Sequence, residues 1–220
     1  MIRLYINLTN KCNSDCPFCC MYSGKEKNTF MDFNVFKYII DGKDEDFELQ
    51  LEGGEPLLHP FMLLFMWYAH STGRCKKIII LTNGKLLSGY LEEVITFMNR
   101  TEIPIEITMS INYWLYSENP HIFKQARDLY CATEFVDGIS VKFNVRMRHG
   151  DEWIVDRLKE YKIYDQSNVF YLQSYGRMTG TDYEKPVIVQ NVDDWFIYSC
   201  DGKCFDKDLI ARSEHEKGLV

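Results

Sequence analysis

What most constrains this chain is a two-faced pattern that recurs along its strand-like runs. Runs that read as β-strands fall at 3–9, 47–52, 77–82, 103–112, 139–148 and 168–173. In the fourth, Ile103, Ile105, Ile107, Met109 and Ile111 share one side, and Glu106, Thr108, Ser110 and Asn112 share the other. The split arises because successive side chains of a strand point to opposite faces. Likewise Val141, Phe143 and Val145 oppose Lys142, Asn144 and Arg146, and Phe47, Leu49 and Leu51 oppose Glu48, Gln50 and Glu52. Helix-length segments at about 30–42, 60–72, 86–100, 119–133 and 151–161 separate the runs. Such alternation argues for parallel strands joined by helices.

A flat parallel sheet covered by helices on both sides would be apolar on both faces. An antiparallel sheet with one wet face fits the split but leaves the helices without a role. The pattern therefore predicts an α/β fold: a barrel or part-barrel with helices over its apolar outside. Its polar lumen suits a charged ligand. The run at 77–82 (KIIILT) is apolar on both faces, as a well-buried strand would be. Beyond residue 173 the rhythm breaks into a turn-rich stretch with one strand-like run at 187–189. The expected division is a barrel over 1–175 and an extension, 176–220, that packs on or caps it. The segment 61–68, apolar on nearly all sides, is expected to lie buried at an interface or beneath the extension.

Charge and composition narrow the classes. Hydrophobic residues at 46% and charged residues at 26% exclude a disordered chain. A net charge of −7 offers no broad basic face, which disfavours nucleic acid as a partner. The N-terminus lacks the continuous apolar core of a signal peptide. The longest apolar-rich stretch, 61–69, is far short of the about 20 residues a membrane span needs. The expectation is a cytoplasmic protein with no membrane partner. There, eight cysteines point to metal or redox chemistry rather than disulfides.

The sharpest motif is Cys12-Asn13-Ser14-Asp15-Cys16-Pro17-Phe18-Cys19, just after the first strand. Three thiolates at i, i+4 and i+7 in one loop suit a single metal centre. A four-iron cluster takes four cysteines when fully held by protein. Three leave one iron with an open position, where a small molecule binds directly. Zinc held by the three and a fourth ligand is the alternative, although Cys20, next to Cys19, is poorly placed to be that ligand. Two further segments follow strands: Gly53-Gly54-Glu55-Pro56 after the second and Thr82-Asn83-Gly84 after the third. In parallel α/β folds ligands bind at the C-terminal ends of strands, where all three segments lie.

At these residues the sequence resembles the radical S-adenosylmethionine (SAM) enzymes. The cysteine spacing, with Phe18 before the last cysteine, is similar to that superfamily's cluster loop. The other two segments look like its GGE and TNG motifs. The resemblance implies an open, TIM-like partial (β/α)6 barrel, an oxygen-sensitive [4Fe–4S] cluster on Cys12, Cys16 and Cys19, and reductive cleavage of SAM. It implies a reductant such as flavodoxin or ferredoxin. It also implies a SAM pocket. Gly53 and Gly54 would admit the methionine end, and Glu55 would assist or order the turn. Thr82 and Asn83 would line the pocket. Ser110 and Asn112 would meet the ribose hydroxyls or the carboxylate, Arg146 would pair with that carboxylate, and Gln173 would touch adenine or substrate.

The substrate is less determined by the residues. An open-sided part-barrel suits a peptide or protein segment, and a small nucleotide-like or sugar substrate is the alternative. A cluster protein that only transfers electrons and an activase acting on a partner polypeptide are the remaining readings. Cys200-Asp201-Gly202-Lys203-Cys204 reads either as half of an auxiliary cluster site or, through Asp201-Gly202, as a tight hairpin. The five histidines show no HxxxH spacing, and no Ser/His/Asp set or phosphate-cradling loop is present.

Overall fold

The computed structural model describes residues 1–181, 183 and 194–220. The strand-like run at 187–189 lies outside them. The chain runs β1 (Ile2–Thr9), α1 (Phe33–Asp41), β2 (Phe47–Gly53), α2 (Met62–Ser71), β3 (Cys75–Thr82) and α3 (Leu87–Thr101). It continues through β4 (Ile105–Asn112), α4 (Tyr113–Glu118), α5 (Ile122–Thr133), β5 (Ile139–Met147), α6 (Trp153–Glu160), β6 (Ser167–Tyr171), β7 (Trp195–Tyr198) and α7 (Leu209–Lys217). The strands form one sheet in the order β6-β5-β4-β3-β2-β1-β7, every neighbouring pair parallel.

The first six strands follow chain order outward from β1, as an α/β barrel sheet does, and β6 and β7 remain as two edges, so the barrel is open. One correction applies to the six-stranded expectation. The extension supplies a seventh strand, which pairs from Arg3–Trp195 to Ile6–Tyr198. A six-stranded open sheet would leave the outer side of β1 as a row of unpaired backbone groups, and β7 occupies it.

The alternation in the strands sets the layers. Leu4, Ile6 and Leu8 of β1, Leu49 and Leu51 of β2, and Ile78 and Ile80 of β3 have no solvent exposure and face the helices. Phe36 of α1 stacks on Phe65 of α2 at 4.4 Å between ring centroids. Asp32 caps α1 by accepting from Asn34 N, and Asp208 caps α7 by accepting from Ala211 N. Helix α2 buries Met62, Phe65, Met66 and Ala69, but Leu64 and Trp67 on its outer side, with Phe61 before it, are exposed. It therefore does not lie beneath the extension.

The other face of the sheet is the polar lumen, and its charges are paired across strands. Arg3 bonds Glu48, and Lys77 and Lys142 both reach Oε2 of Glu106, at 2.8 and 3.0 Å. Arg212, from α7, meets Glu52 at 2.6 Å. Charges this poorly hydrated need partners, and cross-strand neighbours supply them. Among the described residues no helix is long and apolar enough to cross a membrane.

Candidate functional site

The cysteine loop leaves the C-terminal end of β1 and is pinched at its base. Cys12 N donates to Gly24 O at 3.0 Å, and Gly24 N donates to Asn10 O at 3.2 Å. Inside the loop, Cys19 N donates to Cys16 O at 3.1 Å, a turn that brings the last two thiols to the same side. Cys12 is buried and Cys16 and Cys19 are partly so; none of the eight cysteines forms a disulfide.

The end of β2 fixes the loop. Gly54 N donates to Thr9 O at 2.6 Å, and Glu55 N donates to Lys11 O at 2.9 Å. Gly53 sits at φ +139°, and a Cβ on Gly54 would lie 2.1 Å from Lys11 O. Only glycine allows that approach. The close contact is made with the loop's own backbone, one residue before Cys12. The Gly-Gly pair is thus a clamp on the cysteine loop as well as a part of the cavity wall.

The end of β3 holds the same loop from the other side. Asn83 Nδ2 donates to Asn13 Oδ1 at 2.7 Å and lies 3.6 Å from Cys12 Sγ. Glu55, wholly buried, accepts from Thr82 Oγ1, Asn83 N and Leu57 N at 2.7, 2.8 and 3.2 Å. One carboxylate therefore ties the end of β2 to the end of β3. Burial pushes this carboxyl up to about 7, against the pull of those donors.

A cavity of about 250 Å³ lies over these strand ends. Cys12, Cys16 and Cys19 line it, together with Phe18, Gly53, Gly54, Thr82, Asn83, Ser110, Asn112 and Arg146. Two predicted residues do not. Glu55 stands behind the wall, with its oxygens spent on the backbone and on Thr82. Gln173 lines the adjoining lumen instead. Asn112 also caps α4 by accepting from Leu115 N, and Phe18 packs against Tyr113 at 5.4 Å.

The thiols are an uncomfortable set without a metal centre. Burial pushes Cys12 up to about 12, and burial with the neighbouring Cys20 pushes Cys19 up to about 11. Burial also raises Cys16. A bound metal centre takes such groups as thiolates and supplies the missing positive charge, so the donor chemistry fits one. Among the described residues no three His, Cys, Asp or Glu side chains converge closely enough to hold a single ion. The three thiols line one cavity.

The extension completes the cavity with residues the sequence reading passed over. Leu209 and Arg212 line it, and Tyr175 at the end of the barrel segment and Cys20 of the loop line it too. Arg146 Nη1 lies 3.8 Å from Cys20 Sγ. Burial opposes the charge of Arg146, yet Cys20 and Tyr175 beside it hold its pKa above the ordinary value. Arg177 N donates to Cys19 O, and its guanidinium donates to Cys16 O at 2.7 Å and Ser23 O at 2.9 Å. Ser213 of α7 donates to Cys20 O. No periodic signal marks these residues. Cys200 is buried and its thiol donates to Glu216 at 3.3 Å, whereas Cys204 is exposed across the turn at Gly202.

No family model matches the sequence. The chain is 32% identical to the uncharacterized protein MJ0907 of Methanocaldococcus jannaschii over 119 residues, 51% of this chain and 39% of that protein. Its fold is similar to that of Streptococcus suis SuiB solved with the precursor peptide SuiA. The TM-score is 0.59 at 17% identity, over 83% of this chain and 42% of SuiB. It is similar also to anSMEcpe solved with AdoMet and the Cp18Cys peptide, with a TM-score of 0.59 at 14% identity over 87% of this chain and 54% of that one. The chain thus spans about half the length, or less, of these proteins.

Proposed function

We propose that this chain is a radical SAM enzyme, with Cys12, Cys16 and Cys19 holding a [4Fe–4S] cluster whose fourth iron receives SAM. The observation that carries this reading is the meeting of the three thiols with the ends of β2, β3, β4 and β5 around one cavity. An electron-transfer protein needs the thiols but not the polar pocket beside them. The solved neighbours bound to AdoMet and to peptides support the reading.

A cluster held by Cys12, Cys16 and Cys19 would supply, when bound, the one-electron reduction of SAM that leads to hydrogen abstraction from substrate. The chain's own residues position and enclose. Gly53, Gly54 and Asn83 hold the loop so that the thiolates face the cavity. Arg146 offers a charge-assisted donor to the SAM carboxylate, and Ser110 and Asn112 offer polar atoms to the ribose. Phe18 and Leu115 exclude water from the wall they form. Residues 1–175 form the catalytic barrel, and 176–220 complete its wall. A peptide or protein segment is the proposed substrate, entering by the open side, with flavodoxin or ferredoxin as reductant. The neighbour solved with its precursor peptide supports the former.

The test is low-temperature EPR of anaerobically reconstituted, reduced protein with and without SAM. The expected result is a [4Fe–4S]⁺ signal that shifts on adding SAM. A signal indifferent to SAM, or zinc in place of iron, refutes the reading.

A further inference from the structure

The lumen beneath the cysteine loop carries an unbalanced charge. A recess of about 630 Å³ runs along the polar face of the sheet, opening to solvent and adjoining the cysteine cavity at Arg146 and Asn144. Among the described residues its walls hold four cations, Arg3, Lys77, Lys142 and Arg146, and one carboxylate, Glu106. Arg3 is matched by Glu48 behind it. Lys77 and Lys142 share a single oxygen of Glu106, whose other oxygen accepts from Thr108 at 3.2 Å. One ammonium is therefore left without a counter-charge of its own. Arg146 has no carboxylate within ion-pair distance among the described residues, and its polar neighbour is the Cys20 thiol. Among the described residues the recess holds two surplus positive charges, in a chain whose net charge is −7.

The two surplus charges are not equivalent. Both sit on the lumen face of β5, four residues and hence about 13 Å apart. Arg146 faces the cysteine cavity, with its guanidinium 3.8 Å from Cys20 Sγ. Lys142 is distant from them, and its side chain is 48% exposed to the recess although Glu106 beneath it is 10% exposed. A buried carboxylate that fixes two lysines, one of them solvent-facing, is an arrangement that positions a cation for an incoming anion. Low-dielectric walls around a single sign of charge concentrate that field. Asn144 and Asn168, which bond each other at 3.4 Å, put amide groups beside it.

We propose that this recess seats an anionic oxygen group of the substrate, a carboxylate or a phosphate, with Lys142 as its docking cation and Glu106 as the residue that holds Lys142 in place. This rests on the reading that the adjoining cavity is the reaction site. Anchoring at Lys142 leaves the part of the substrate nearer Arg146 under the cysteine loop. Substrates with an acidic side chain or a phosphate at that remove from the reacting carbon are selected over neutral analogues.

The test is binding alone, so it does not depend on SAM cleavage. Equilibrium dialysis at low ionic strength measures radiolabelled inorganic phosphate and glutarate against the anaerobically reconstituted protein, with neutral glutaramide as control. Wild type is expected to bind at least one of the two anions and not the amide, and the preferred one identifies the source of the charge. Lys142→Gln is expected to weaken binding about tenfold or more. Lys142→Arg, which keeps the charge, and Lys76→Gln, on β3 two strands away and paired with Asp46 outside the recess, are expected to retain it. Circular dichroism establishes that each variant is folded. Equal binding by Lys142→Gln and wild type overturns the proposal, as does binding of neither anion by wild type. Failure of the EPR test with anion binding intact would count against the reaction and not against this site.

Discussion

The cavity has two walls of different origin. One is built from the C-terminal ends of β1 to β5, and its residues sit in short motifs at strand ends: the cysteine loop, Gly53–Gly54 and Thr82–Asn83. The other is built from Tyr175 and the extension that follows it, whose Arg177, Arg212 and Ser213 reach back from scattered positions. The first wall works largely through backbone. Gly54, Glu55 and Asn83 donate main-chain hydrogens, and a glycine is required where Cβ has no room. The second works through side chains, with Arg177 on three loop carbonyls and Arg212 on Glu52. The cysteine loop thus has one side set by the sheet and the other by a segment that joined the same sheet as β7.

The comparison can be broken in order of expected effect. Replacing Cys12, Cys16 or Cys19 by Ala is expected to abolish 5′-deoxyadenosine formation and to lower bound iron. Product in all three variants would place the chemistry elsewhere. Next, Arg212→Met is expected to cost about 3–5 kcal/mol, because it leaves Glu52 buried and unpaired. Chemical denaturation checks this, and the double variant with Glu52→Gln should recover most of the loss. If Arg212→Met melts like wild type, the extension is a passive cover.

Gly54→Ala comes third, at about 1–3 kcal/mol of overpacking against Lys11. Because the clash is beside Cys12, iron loading should fall more than stability does. The smallest effect belongs to pH. Burial works against the charge of Glu106, yet its two lysines hold its carboxyl below the usual 4.5. A depressed folded value stabilises the protein above about pH 4.5 and is lost as pH falls through that value. Acid unfolding of Glu106→Gln should accordingly be less steep below pH 4.5 than that of wild type. Identical acid limbs would mean the pair contributes nothing to folding.

Much of this was legible from the residues. Period-two alternation in 103–112 and 139–148 identified a polar lumen because strand geometry fixes which side chains share a face, whatever the fold around them. The cysteine spacing marked the loop because thiolates have few other reasons to recur so closely in a chain of this class. Glu55 shows the limit. Its place in a Gly-Gly-Glu-Pro turn drew attention, but only the packed structure reveals that its oxygens bond to Thr82 and Asn83 rather than face the cavity. Gln173, expected to end the sixth strand, lies just past β6, which stops at Tyr171, and faces the lumen recess.

The sequence by itself determined the α/β alternation, the polar and apolar faces of the strands, and the loop that offers three thiols. These are local properties, set by backbone geometry and residue spacing. Only the tertiary structure decided that the extension adds a seventh strand and an arginine to the wall, and that two lysines converge on one carboxylate. Those contacts join residues far apart in the chain, Arg212 and Glu52 by 160 positions. No local pattern encodes them, since they depend on which edge of the sheet was left unpaired and which buried charge was left without a partner.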